Sequence, residues 1–337
     1  MPELFYPEPQ VPLTSTGVLL LNLGTPTAPK PQAVKAYLRE FLSDQRVVEL
    51  PRWLWQTILR GIVLPIRSAK SAHAYSTIWQ ESGSPLLSGT QKLTSALAKS
   101  LPADIVTRFA MTYGEPSVRL VLQQMKQQGV QRLLVLPLYP QYAASSSGAA
   151  LDQVWRVLLK QRTQMSVHSI TSFFDNKNYI RKLAQHIENY WQKHNRGQCL
   201  IFSFHGIPQA HHTAGDSYVQ QCTSTVQLLV EELKLAKDEY RMAFQSRFGY
   251  APWVGPNTQD LFMQLPKAGI RKLDVVCPGF VIDCLETLEE INIRGRTDFL
   301  AQGGKEFNYI PCMNEEHEWV AILAPLVEKH LHSWLTE

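Results

Sequence analysis

Leu200-Ile201-Phe202-Ser203-Phe204-His205-Gly206-Ile207-Pro208 begins as a continuous apolar run of strand length and stops abruptly at His-Gly-x-Pro. A short apolar run cut off by glycine and proline predicts a buried strand of an α/β sheet. In open α/β sheets ligands bind beyond the carboxyl ends of the strands. His205 therefore falls where such a fold keeps its chemistry, and imidazole titrates nearest neutral pH. A lone histidine beside a turn is as readily a residue capped by a backbone carbonyl. Its weight depends on what else the chain brings to the same place.

Outward from this run, strands alternate with helical patterns along the whole chain. Strands are predicted at 17–23, 105–112, 132–138 and 166–171, and again at 240–245, 273–276 and 307–311. Helices are predicted through Val34, Tyr37, Leu38 and Phe41, then at 90–101, 117–128, 149–161, 176–194, 219–236, 258–265, 284–293 and 316–331. Such alternation implies parallel sheets covered on both faces. The fold class is α/β: two similar Rossmann-like domains, each with a four-stranded parallel sheet flanked by helices, and a ligand cleft between them. The Pro-rich, aperiodic residues 1–16 read as an N-terminal arm. Residues 17–171 form the first domain and 172–314 the second, and the closing helix within 315–337 packs back on the first.

The halves also echo one another in detail. Leu23-Gly24-Thr25-Pro26 ends the first strand as His205-Gly206-Ile207-Pro208 ends its counterpart. The run from Phe109 to Gly114 (FAMTYG) echoes that from Phe244 to Gly249 (FQSRFG), and VLPLY before one helix resembles VCPGF before another. A duplicated α/β unit follows, with its chemistry on one copy only: Leu23 stands where the second copy has His205.

Composition narrows the function classes. With 337 residues and 45% apolar content, the chain has enough material for two real cores. A net charge of +4 without a basic cluster gives no nucleic-acid footprint. The five cysteines, Cys199, Cys222, Cys277, Cys284 and Cys312, are odd in number and form no C-x-x-C, against a disulfide framework or a structural zinc site. The start MPELF lacks the basic and apolar regions of a signal peptide, and no apolar run is long enough to span a bilayer. A cytoplasmic protein is expected.

A second stretch brings acids to the carboxyl end of a strand. In VCPGFVIDCLETLEE, Asp283, Glu286 and Glu290 recur at i, i+3 and i+7, which on an α-helix places them on one face. Carboxylates near a helix start are favoured by the dipole, so a solvated acidic end is the plain reading. Yet the row starts just past a strand, on the same side of the sheet as His205. Oxygen and imidazole ligands in such a row suit the hand-over of a first-row divalent cation.

Taken with LNLGTP, FLSDQRVVELP, ESGSPL, AMTYGEPS, VLPLYPQY, SFHGIP and FQSRFG, these stretches make the chain resemble the ferrochelatases from residue 17 to about 311. The arrangement is most similar to proteobacterial members. The resemblance implies insertion of Fe²⁺ into protoporphyrin IX, the terminal step of haem synthesis. It assigns the catalytic roles to His205 and Glu286, both also at the metal, with Glu290 and Asp283 on the metal path. It places Arg67, Tyr75 and Ser84 near the porphyrin propionates. Met111, Tyr113, Trp253 and Phe280 fall along the porphyrin, and Tyr139 on the metal-entry side. Leu23 replaces a tyrosine of some Gram-positive relatives, and Cys284 a histidine of animal ones. Ala144 stands where animal enzymes have a cluster-ligating cysteine, and no cysteine-rich tail follows Cys312, so no iron–sulfur cluster and no resident cofactor is expected.

The chemistry asks for two pyrrole protons to leave as a hydrated cation enters the ring. In a flat ring the nitrogen lone pairs lie in-plane, so binding that bends the macrocycle would expose them. His205 on one face would accept the protons and Glu286 on the other would position the metal or relay charge, while Arg67 suits the ring's carboxylates. Two other readings remain in view: a haem or porphyrin carrier of the same fold, and a chelatase for another tetrapyrrole such as sirohydrochlorin. The carrier needs no base beside a carboxylate row, and sirohydrochlorin's extra carboxylates call for more cations than Arg67 and its neighbours supply. Residues 53–66 (WLWQTILRGIVLPI) read as a core helix or as an interfacial helix giving peripheral contact with the inner membrane. His211, His212 and Asp216, in the loop after Pro208, read as solvent-exposed loop residues before they read as a peripheral metal site. The protein is expected to be a monomer.

Overall fold

In the computed structural model, residues 15–249, 251–314 and 317–335 are described. They form two compact units. One holds residues 15–138, then Ala144–Ser172 and the closing helix His317–Leu335; the other holds Tyr139–Ala143 and Phe173–Asn314. The N-terminal arm of the sequence reading lies outside the described residues apart from Ser15 and Thr16, which already belong to the first strand.

The first unit contains β1 (Ser15–Asn22), β2 (Val106–Met111), β3 (Val130–Pro137) and β4 (Ser166–Ser169) in the order β2-β1-β3-β4. The second contains β5 (Cys199–His205), β6 (Tyr240–Gln245), β7 (Lys272–Val276) and β8 (Glu306–Ile310) in the order β6-β5-β7-β8. Every strand pairing within them is parallel. The α/β class and the duplication hold, and β1 and β5 occupy the same place in their sheets. Both are buried along nearly their whole length because a strand covered by helices on both faces has no solvent side to fill with polar residues.

The ladder corrects one detail of the repeat. Met111 N–H donates to Pro116 O and Phe244 N–H to Pro256 O, each at 2.8 Å. Met111, not Phe109, is therefore the counterpart of Phe244. The second unit spends a longer connection between that strand end and its proline, and this extra loop carries Ser246 and Trp253.

The helices follow their apolar stripes. Lys177–Lys193 buries Tyr179, Ile180, Leu183, Ala184 and Ile187, and the Asn176 side chain caps it by accepting from the N–H groups of Asn178 and Tyr179. The closing helix packs on helix Pro85–Ser100 and on β3 within the first unit. Tyr139–Ala143, placed by sequence in the first domain, is tied into the second: Gln141 Nε2 donates to Thr225 Oγ1 at 2.9 Å and Tyr142 N–H to Gln221 Oε1 at 2.8 Å. No helix among the described residues is long and apolar enough to cross a membrane.

Residues 53–66 form neither of the simple helices considered. Helices Arg52–Ile58 and Leu64–Ile78 flank a π-helical turn at Leu59–Val63. Trp55 is only 8% exposed and donates its indole N–H to Leu42 O at 2.6 Å, whereas Trp53 is 77% exposed. Leu54, Ile62 and Ile66 are exposed beside it in sequence. The segment is thus core along one side and an apolar surface along the other.

Candidate active site

His205 ends β5 with its side chain partly exposed. Its Nδ1 lies 2.7 Å from Gly206 O. A carbonyl only accepts, so Nδ1 carries the hydrogen and the neutral ring keeps its lone pair on Nε2. The backbone-carbonyl cap that made a lone histidine unremarkable is therefore what sets the ring up as a base. Gly206 must stay small here. A Cβ on it would stand 2.9 Å from Gln245 O and 3.1 Å from Trp253 Cε3, so the indole lies directly over the residue after His205. Trp253 is fixed by its N–H donating to Phe248 O at 2.8 Å.

β7 runs into a loop that carries Phe280, whose N–H closes a turn on Cys277 O at 3.1 Å. Phe280 is half-buried against the apolar core of this unit. The loop ends in a π-helix, Glu286–Gly295. Closed by i→i+5 bonds, a π-helix stacks residues about four to five apart. Glu286 and Glu290 therefore follow one another along one face. Glu290 accepts two bonds from one residue, Ser246 N–H at 2.8 Å and Ser246 Oγ at 2.6 Å. Ser246 has φ of 64°, a left-handed backbone that turns both donors the same way.

Asp283 does not share that face. It precedes the helix, is 8% exposed, and accepts from Thr287 Oγ1 at 2.9 Å, Asn314 Nδ2 at 3.0 Å and the Tyr309 hydroxyl. The i, i+3, i+7 reading assumed an α-helix already running at Asp283, but residues 281–284 are not helical. Cys284 is buried; burial, and after it Glu286, push its thiol well above the usual range, so it stands beside Glu286 as a neutral S–H. Cys277 and Cys312 are raised likewise, chiefly by burial. His211 is buried, contrary to the exposed-loop reading, and His212 is exposed. Among the described residues no three or more His, Cys, Asp or Glu side chains are grouped to hold a metal ion.

Tyr139 is partly buried in this second unit. In the first unit, Arg67 is half-buried on helix Leu64–Ile78, where burial lowers its guanidinium pKa. Tyr75 lies on the same helix, edge-on to Trp79 at 6.2 Å. Ser84 is buried just ahead of helix Pro85–Ser100. Met111 and Tyr113 have essentially no exposed surface: they back the ends of β1 and β2, with Tyr113 N–H donating to Leu23 O at 3.0 Å.

A model of the family described as ferrochelatase matches residues 15–331. The chain belongs to the ferrochelatase family. It is 55% identical to the ferrochelatase of Neisseria meningitidis serogroup B over 333 residues, 98% of this chain and 99% of that protein. It is 50% identical to the ferrochelatase of Methylococcus capsulatus (94% of this chain, 97% of the other). To that of Nitrosomonas europaea it is 48% identical (94% and 88%). Among solved structures, SirB from Bacillus subtilis with Fe³⁺ superposes with a TM-score of 0.56 at 14% identity, covering 95% of this chain and 97% of that one. At that identity the likeness is one of fold alone.

For a ferrochelatase, the second unit brings His205, Trp253, Phe280, Glu286 and Glu290 to the carboxyl ends of β5, β6 and β7. Sequence reasoning quoted the motif holding Gln245 and Ser246 without giving either a part. Gln245 is buried; its Nε2 donates to Glu286 O at 2.8 Å while its own main-chain O accepts from Gly206 N–H at 2.8 Å. One residue, through its main chain and its side chain, thus ties the His205 turn to the first residue of the π-helix. The available signal was an amide closing a strand, which must find partners if buried but does not say which.

Proposed function

We propose that His205 takes the pyrrole protons and Glu286 places the metal when this chain inserts Fe²⁺ into protoporphyrin IX. The activity, the ferrous chelatase step of haem synthesis, follows from membership of the family; the residue roles are our reading. The observation that carries it is the His205 ring, whose Nδ1–H is spent on Gly206 O so that Nε2 is left as a base. Two protons leave the ring for each Fe²⁺ that enters, and iron is substrate rather than resident cofactor. Trp253 and Phe280 offer apolar surface to a large flat ring, and the Arg67 guanidinium suits its propionates. We also propose that the protein is a cytoplasmic monomer without an iron–sulfur cluster.

Anaerobic incubation with Fe²⁺ and protoporphyrin IX tests the activity. Haem absorbance should appear with turnover, from protein that shows no [2Fe–2S] bands as purified. Porphyrin binding without haem formation would make the chain a carrier.

Two expectations belong to the same reading. Glu290→Gln should raise the KM for metal more than that for porphyrin, with kcat little changed, because it removes ground-state binding of one substrate. An unchanged metal KM would leave Glu290 only as the partner of Ser246. The apolar surface of residues 53–66 fits the headgroup region of a bilayer. Serine at Trp53, Leu54, Ile62 and Ile66 should reduce co-sedimentation with liposomes and leave the thermal melt in place. Undiminished liposome binding would remove the membrane contact. Trp55 stays untouched in that variant because it is core.

A further inference from the structure

We propose that Asn314 is a positioning residue for metal insertion: paired reciprocally with Asp283, it sets the turn from which Glu286 projects. This rests on the role given to Glu286 above. Asn314 stands at the end of the segment that follows β8, far from Glu286 in sequence, and neither catalytic proposal uses it. Its Oδ1 accepts the Asp283 N–H at 2.8 Å, and its Nδ2 donates to Asp283 Oδ2 at 3.0 Å. Its own N–H donates to Val281 O at 3.1 Å, and Nδ2 also donates to Cys312 O at 2.9 Å. One residue thereby clamps both ends of the turn Val281–Asp283. Its φ of 52° is left-handed, a conformation that asparagine tolerates better than most side chains.

The clamp reaches the π-helix through hydroxyl chemistry. Asp283 Oδ1, which also accepts from Tyr309, takes the Thr287 hydroxyl hydrogen at 2.9 Å. The same Thr287 oxygen accepts the Cys284 N–H at 3.0 Å. Thr287 is in the first turn of the helix, directly after Glu286. A shift of Asp283 therefore moves Thr287 and turns the start of the helix, and with it the Glu286 carboxylate. Burial makes the arrangement stiff, because each of these polar groups loses a partner if the turn moves. The acid that sequence placed on the metal path is here the anchor of the acid that follows it.

The geometry dictates its own rescue experiment. Asn314→Asp loses the Nδ2 donor and sets a second carboxylate against buried Asp283, where two charges resist sharing one site. Asp283→Asn combined with Asn314→Asp restores the pairing between the two side chains, though not the donation to Cys312 O: the new amide keeps an oxygen at Oδ1 for Thr287 and Tyr309 and donates from the Oδ2 position to residue 314. Asn314→Gly is the second single variant, since it keeps the left-handed backbone and the bond to Val281 O but removes the amide. Turnover is measured anaerobically with Fe²⁺ and protoporphyrin IX, per porphyrin-binding site titrated by fluorescence, so that misfolded protein does not count. Both single variants should lower kcat on the order of 10- to 100-fold, the loss expected when a catalytic group is displaced by about 1 Å. Protoporphyrin affinity should stay within about twofold of wild type, and the double variant should recover part of kcat, clearly above Asn314→Asp. Wild-type kcat in the single variants, or a double variant no better than Asn314→Asp, would overturn the proposal. Glu286→Gln is assayed alongside: if it keeps turnover, the role of Glu286 fails and this inference with it. If it is inactive while the Asn314 variants are not, only the positioning role fails.

Discussion

His205→Ala is expected to bind protoporphyrin and to insert iron about 10²–10⁴ times more slowly than wild type, the usual loss for a general base. Binding survives because the apolar surface comes from Trp253 and Phe280, which are held independently: Trp253 by Phe248 O and Phe280 by its turn on Cys277 O. The strand should tolerate the substitution, since His205 is the last residue of β5 and its imidazole bonds to the next carbonyl along the chain. Fluorescence reports porphyrin binding and haem absorbance reports insertion. Adding Leu23→His to this variant should rescue nothing, although Leu23 occupies the corresponding place after β1. Leu23 belongs to a unit whose strand ends are backed by the buried Met111 and Tyr113, with no carboxylate helix of the Glu286 type among the described residues.

Glu286→Gln should cost about 10²–10³-fold in kcat, the range seen when one electrostatic contact to a developing charge is removed. The isostere keeps the main-chain oxygen that accepts from Gln245 and leaves the π-helix its backbone. What goes is the negative charge that would place the metal. An interaction made in the transition state lowers kcat and kcat/KM together, in contrast to the KM effect expected at Glu290. Steady-state kinetics with Fe²⁺ varied at saturating protoporphyrin separate the two. A Glu286→Gln enzyme with near wild-type kcat would take the metal-placing role away from this residue.

The fold could be read largely from hydrophobic runs and their punctuation. β5 was visible because a strand covered on both sides is a continuous apolar run, and Gly206 and Pro208 mark where it ends. The repeat was visible in the strand-end motifs, but its register was not. The aromatic pair Phe109 and Phe244 look alike, whereas the ladder aligns Met111 with Phe244 through the bonds to Pro116 and Pro256. Register is a property of backbone pairing, and side-chain likeness reports it only loosely. At the acidic stretch, the 3.6-residue period assumed an α-helix. The chain instead starts a π-helix at Glu286, and a wider turn changes which acids share a face. Asp283 fell out of the row because it precedes the helix and because Tyr309, Thr287 and Asn314, the first and last of them distant in sequence, supply its donors. Trp53 and Trp55 are two residues apart and looked equivalent; on a helix such neighbours point to different sides, and Trp55 is buried with a carbonyl to bond whereas Trp53 is exposed. Gln245 could not be assigned from sequence, since its meaning is the distance between the His205 turn and the π-helix.

The central claim, that His205 removes the pyrrole protons, is tested most directly in a single turnover. Protein loaded with one equivalent of protoporphyrin IX is mixed anaerobically with excess Fe²⁺, and porphyrin fluorescence is followed as the ring becomes haem. Wild type should lose its fluorescence in one fast phase. His205→Ala, equally loaded, should stay fluorescent over at least about a hundred times that interval, and insertion by loaded His205→Ala at the wild-type rate would contradict the account.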